Sequence, residues 1–366
     1  MRHGHPPAAR QRHGRGRRWL CPLLLAGLAP ACVTPIEQHQ SAIGEITRDC
    51  VVPPPAGVAA LGAPAALEYP DRSLWIWDEL ELEGGRRVET PAAVIASAGA
   101  ACQDGPALVR DGAGEPVPLI ALTAEEQLAN ETRTDGRRLA LVPHGGFVQG
   151  GAGFLYYDHV LRGPGLFDTE IQGTGLCELA TPEAPCRRVM RGGSTLLWPA
   201  GARVFDRGGI VVGERALLYG CRAVASFSRL CTVASAPVAS LEEPAAYQVY
   251  NALRGWVDAL TDASVLADEL GGVTVSPYGG GFLATSIDIF DARVSVRRSA
   301  RPENGFGHRI AAFDGIPSTS GFGLVSGGRE HAGLRARPDE IVVSYRTDAG
   351  APELHLVAFR FFGDFE

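Results

Sequence analysis

Ala216-Leu-Leu-Tyr219, Leu230-Cys-Thr-Val233, Leu241-Glu-Glu-Pro-Ala-Ala-Tyr247, Gly281-Phe-Leu-Ala-Thr-Ser286 and Val294-Ser-Val-Arg-Arg-Ser299 follow one another within the stretch from Leu217 to Gly307. The first two and the last two are short apolar runs with strand character, and the third reads as a helical turn. Strand, crossover and strand therefore alternate in the order that successive blades of a propeller require.

The same pattern extends outward from this stretch. From about Ala66 onward the chain consists of short apolar runs broken by Gly and Pro, few of them long enough for an amphipathic helix, which is an all-β signature. Leu74-Trp-Ile-Trp77, Ala92-Ala-Val-Ile-Ala96, Leu139-Ala-Leu-Val142, Gly153-Phe-Leu-Tyr-Tyr157, Gly209-Ile-Val-Val212, Val273-Thr-Val275 and Ile341-Val-Val-Ser-Tyr345 are further strand candidates. They cluster at intervals of about 60 residues, the length of a four-stranded blade, so residues 66–366 accommodate about five blades. A pair of β-sandwiches is the structural rival.

Residues 1–31 are set aside as an export signal, because six arginines precede the apolar run Trp19-Leu-Cys-Pro-Leu-Leu-Leu-Ala-Gly-Leu28 and no acid interrupts them. Leu28-Ala-Pro-Ala-Cys32 resembles a bacterial lipoprotein signal, with Cys32 as the acylated residue; cleavage after Ala31 is the alternative. Residues 32–65 read as a Pro/Ala-rich tether between a lipid anchor and the domain. The expected location is the bacterial cell envelope, as an outer-membrane or surface lipoprotein, and otherwise the periplasm or the exterior.

The formal charge of the whole chain is −7, from 34 basic and 41 acidic residues. Removing the six leader arginines leaves 28 basic residues against 41 acidic ones, or −13, which argues against nucleic acid as a partner. Beyond Cys21 and Cys32, six cysteines remain, an even number in an exported chain, and disulfides are the natural reading. Cys177/Cys186 and Cys221/Cys231 each bracket a short segment between strands, leaving Cys50 to tie the tether to Cys102; of the fifteen connectivities open to six cysteines this is the shortest. Zinc is the competing reading, but C-x-x-C spacing is missing and no histidine lies close to the pairs. Gly145-Gly146, Gly150-Gly151 and Gly279-Gly-Gly281 lack the following helix and Lys-Ser/Thr pair of a phosphate cradle and read as hairpin turns. No Gly-x-Ser-x-Gly elbow occurs, and no cofactor or metal is called for.

Several segments resemble the secreted five-bladed propellers long classed as a domain of unknown function, a group that includes endo-D-arabinanases and is related to glycosidase propellers. Ser73-Leu-Trp-Ile-Trp-Asp-Glu79 resembles that family's opening strand. Leu230-Cys-Thr-Val-Ala-Ser-Ala-Pro237, Glu243-Pro-Ala-Ala-Tyr247 and Gly255-Trp256 are similar to its third-blade signature, Val296-Arg-Arg-Ser299 with Gly305-Phe-Gly307 to its fourth-blade strand and turn, and Glu330-His-Ala-Gly-Leu334 with Ile341-Val-Val-Ser-Tyr345 to its closing element. The resemblance implies carbohydrate chemistry in a central funnel, where hydrolysis needs one carboxyl group as acid and a second as base or nucleophile.

The candidates for that pair are Asp78 or Glu79, at the end of the opening strand, and Asp158 in Tyr156-Tyr-Asp-His159, with Glu89 as the other carboxylate near the opening strand. The family's glycine before the opening aspartate is missing, and strand alternation allows only one of Asp78 and Glu79 to face the funnel. Leu218-Tyr-Gly-Cys-Arg222 places no acid in blade three. Trp77, Tyr157, Arg297, His331 and Tyr345 are the candidate ligand-binding residues. Two functions are expected from this pattern: a propeller that binds a polysaccharide without catalysis, or a glycoside hydrolase of the endo-arabinanase kind. A protein-interaction or structural propeller is the third, and a monomer is expected.

Overall fold

The computed structural model describes residues 43–165, 168–200, 207–223, 229–259, 261, 263–269, 273–315, 325–348 and 352–361. Cys32 and the expected leader lie outside them. The chain folds as a five-bladed β-propeller. Blade one is the sheet Ala65–Tyr69, Arg72–Ile76, Ala92–Ile95 and Ala107–Leu108; blade two runs Arg138–Gln149, Ala152–Arg162, Thr169–Leu179 and Arg187–Arg188, with Trp198–Pro199 also paired to its third strand. Blade three comprises Gly209–Val212, Arg215–Ala223, Arg229–Pro237, Gln248–Asn251 and Gly255–Val257, joined by Ala267–Glu269. Blade four is Val273–Tyr278, Gly281–Ile287, Arg293–Ser299 and Ile310–Asp314. Blade five is built from Ser326–Glu330, Glu340–Asp348 and Pro352–Phe361, and its outermost strand is Ile43–Val51 from the other end of the chain.

All named strand pairs are antiparallel, and two tight turns show why they form where they do. Gly150 and Gly151 (φ 58° and 87°), and Gly279 and Gly280 (φ 54° and 77°), occupy the two central positions of hairpin loops that need positive φ at both sites. Gly145-Gly146, expected as a third turn, lies within the first strand of blade two. A Cβ on Gly146 would fall 1.7 Å from the Phe154 carbonyl oxygen, so glycine serves close strand approach there, not chain reversal.

Period-two alternation sends alternate residues of a strand to opposite neighbours. Leu74 and Ile76 pack with Leu141, Leu155 and Tyr157 between blades one and two, whereas Trp75 and Trp77 pack with Val342, Leu356 and Ala358 between blades one and five. Comparable clusters fill the remaining junctions: Phe147 and Leu176 with Leu218 and Ala234, Tyr219 and Val233 with Val273 and Val275, and Val294 and Val296 with Ile341 and Val343. Five sheets with five apolar interfaces close the ring.

Two features bind its ends. Ile43–Val51, expected as tether, pairs along its length with Pro352–Phe361, so the domain begins before residue 66. Cys50 on that strand is bonded to Cys102 on the helix Ala98–Asp104 that follows the third strand of blade one. The other two disulfides, Cys177–Cys186 and Cys221–Cys231, link neighbouring segments within blades two and three. All three pairings are those expected from the spacing.

Candidate functional site

The first strand of each blade is the one nearest the axis, since these strands contact one another in turn from blade one through blades two, three and four to blade five. Together they line a cavity of about 500 Å³ formed by Glu68–Pro70 of blade one, Gly146–Val148 of blade two, Gly209–Val211 of blade three, Thr274–Pro277 of blade four, and Glu330, Ala332 and Gly333 of blade five. It occupies the mouth towards which the inner strands run.

Two carboxylates reach this cavity. Glu68 accepts from Ser73 Oγ at 3.0 Å through Oε1 and from the Gly333 amide at 2.9 Å through Oε2, and His331 Nδ1 lies 3.0 Å from Oε1. Glu330 is buried. Its Oε2 accepts from Ser276 Oγ at 2.7 Å and Thr285 Oγ1 at 3.2 Å, and Oε1 is ion-paired with Arg335, which also donates to Ser276 Oγ at 2.6 Å. Arg335 in turn packs 5.4 Å from the centre of the Tyr278 ring. Burial, with Glu183 nearby, pushes the Tyr69 phenol up to about 12, so it remains a neutral hydroxyl at physiological pH.

The residues singled out in the sequence lie elsewhere or behind this surface. Leu74–Ile76 belongs to the second strand of blade one, not to the axis-lining strand, and Trp77, Asp78 and Glu79 follow it at the opposite end of the ring. Asp78 is ion-paired with Arg162 at 2.8 Å. Glu79 is paired with Arg138 and, at 3.1 Å, with Arg87; it stands directly opposite Glu89, which Arg138 also binds. Burial raises the Glu89 carboxyl above the ordinary range and repulsion from Glu79 acts the same way, against the pull of Arg138.

Asp158 is also on a second strand, that of blade two, and it is buried. Its Oδ1 accepts from Thr174 Oγ1 at 2.6 Å, and its Oδ2 lies 2.7 Å from His144 Nε2. Trp77, Tyr157 and Tyr345 are buried between blades, and none lines the cavity. The Trp77 indole donates to the Gly62 carbonyl and the Tyr157 hydroxyl accepts from Arg188. Arg297 is on the third strand of blade four and donates to the Gly307 carbonyl. His331 is fully buried, placed between Trp75 Nε1 at 3.2 Å, Glu68 and Ser344 Oγ at 2.8 Å, and so supports the cavity from behind.

Glu68 and Glu330 were not among the sequence candidates. Glu330 stood one residue before His331 in a segment already quoted for its resemblance. Glu68 lies on Ala65–Tyr69, a strand eclipsed by the Trp-rich run that follows it. Among the described residues, no cluster of His, Cys, Asp and Glu has the makings of a metal site.

No protein-family model and no curated protein matches the sequence. Solved structures do. A putative hydrolase from Bacteroides ovatus ATCC 8483 superposes with a TM-score of 0.52 at 15% identity, covering 85% of this chain and 87% of that one. A family 117 glycoside hydrolase produced by the marine bacterium Zobellia galactanivorans gives 0.49 at 13% identity, covering 88% and 91%. The GH43_1 enzyme from Xanthomonas citri complexed with xylose gives 0.48 at 11%, covering 84% and 90%. The likeness is one of fold. It accords with the propeller kinship expected from the sequence segments, and it leaves the chemistry to be argued from the residues.

Proposed function

We propose that this protein binds a glycan in its axial cavity without hydrolysing it, and that it does so as an exported protein of the bacterial envelope, anchored by a lipid at Cys32. The observation that carries the reading is the state of the two cavity carboxylates. Every oxygen of Glu68 and Glu330 is already held by a donor of the protein, and in Glu330 one of those donors is a guanidinium. Glycosidic hydrolysis asks one carboxyl group to surrender a proton and another to attack or to activate water. Carboxylates locked in this way serve instead as fixed acceptors, and Glu68 Oε2 and Glu330 Oε1, each with one donor from the protein, keep a lone-pair site for a sugar hydroxyl. Ser276 adds a hydroxyl, and about 500 Å³ falls within the ~300–1,000 Å³ usual for small-molecule sites. The leader and the three disulfides support an oxidising, extracytoplasmic location.

One observation favours hydrolysis: Glu79 and Glu89 face each other across a two-stranded ribbon, and Glu89 is shifted towards its protonated form. The deciding experiment incubates the purified full chain with arabinans and other envelope polysaccharides, measuring capture and reducing-end release together. Capture without release is expected. Release that disappears in Glu79→Gln and Glu89→Gln would replace the binding reading with a hydrolase, and neither capture nor release would redirect the search to protein partners.

A further inference from the structure

We infer that the cavity receives the end of a glycan chain and excludes its internal segments, an inference that rests on the glycan reading above. Its basis is Arg329. This residue belongs to the inner strand of blade five, yet its Nη2 donates to the His144 carbonyl of blade two at 2.5 Å and its Nη1 to the Ala66 carbonyl of blade one at 3.4 Å. The same guanidinium packs on Gly145 and Gly208, at the approach to blade three. A side chain that starts on blade five and reaches the backbone of blades one, two and three lies across the axis.

The two glycines make room for it. A Cβ on Gly145 would come within 2.8 Å of Arg329 Nη1 and 3.1 Å of Gly208. Their successors, Gly146 and Gly209, are the first residues of blades two and three to line the cavity, whereas His144, Arg207 and Ser326, beyond the guanidinium, do not line it. Arg329 does not line the cavity itself; it fills the axis directly beneath the lining and so backs its floor. A glycan threaded along the axis would have to pass this layer, whose cation is held by backbone carbonyls and packed against backbone. A sugar ring seated on the floor, within reach of Glu68, Ser276 and Glu330, has no exit for a glycosidic bond on its far side. It must be a terminal unit.

The test uses the full chain and whichever insoluble polysaccharide captures it best, offered intact and after partial hydrolysis at equal sugar mass. Capture should follow the number of chain ends, rising about tenfold per gram when mean chain length falls about tenfold. Equal capture per gram before and after cutting would mean that internal segments bind, overturning this inference while the glycan reading stands. Failure of every polysaccharide to capture the protein overturns both. Glu68→Gln should weaken capture of the cut material at least tenfold if the end is bound in this cavity; unchanged capture by that variant would place the end elsewhere and overturn the assignment. Arg329→Ala, if it folds, should lower the ratio of cut to intact capture by opening the floor. If it does not fold, the comparison on the native chain still decides.

Discussion

His159 shows how a buried polar side chain is accommodated among Arg188, Thr195 and Glu126. Its Nε2 lies 2.8 Å from Arg188 Nη2, and because a guanidinium can only donate, that nitrogen must accept and the imidazole must be neutral. Burial chiefly, then the Arg188 charge, lowers its pKa from 6.5 to about 4, against the opposite pull of Glu126 and Asp158. Below pH 6.5 the unfolded chain takes up a proton at this site that the native protein refuses until about pH 4. Stability from this group is therefore complete above pH 6.5 and declines between 6.5 and 4, by about 3 kcal/mol at one pKa unit per 1.36 kcal/mol. Urea unfolding at pH 7.5 and 4.5 should show His159→Gln losing less stability on acidification than the native chain, and an equal loss would remove His159 as its source. Glu330 makes the complementary case. It is the buried partner of Arg335, and Glu330→Ala should cost about 3–5 kcal/mol in a denaturant titration, because the guanidinium is left without its counter-charge.

Among elements, the helix Ala124–Thr132 buries none of its own side chains, so its ends matter more than its faces. Thr123 Oγ1 accepts from the Glu126 amide and the Glu126 carboxylate accepts from the Thr123 amide, a reciprocal cap. Glu126 also grips Arg188 through both oxygens, at 2.5 and 2.8 Å, which ties the helix to the outer edge of blade two. Thr123→Ala should cost about 1 kcal/mol by thermal unfolding. The Thr-Ala-Glu-Glu run that sets up the cap is local and readable in the chain, as are the Gly-Gly hairpins and the two disulfides within blades. What local pattern does not carry is the rank of a strand in its sheet. Leu74-Trp-Ile-Trp77 has stronger strand character than Ala65–Tyr69, yet the weaker strand lies on the axis and brings Glu68 to the cavity. Alternation identifies the two faces of a strand and is silent on which of its edges faces the centre.

For the whole molecule, the ring is closed by sequence-distant partners. The strand Ile43–Val51 completes blade five, and the Cys50–Cys102 bond clasps that blade to blade one across 52 residues, against 9 and 10 for the other two disulfides. Chain entropy assigns about 4 kcal/mol to the long closure and about 2.7 kcal/mol to each short one. Cys50→Ser/Cys102→Ser should thus lower the unfolding free energy more than Cys177→Ser/Cys186→Ser, and the reverse order would show that native packing outweighs loop length. By itself the sequence determined the all-β character, the blade period, the two short-range cysteine pairs as the nearest partners and a net acidic chain, because each follows from composition or from residues close together along the backbone. Only the tertiary structure decided that the first strand belongs to the last blade, that Glu68 and Glu330 meet one cavity, and that Arg329 reaches from blade five to the backbone of blades one and two. Those relations join residues far apart in the chain, Ile43 with Phe361 and Ala66 with Arg329 among them, through the closure of a ring, and no local pattern encodes which blades will face each other across its axis.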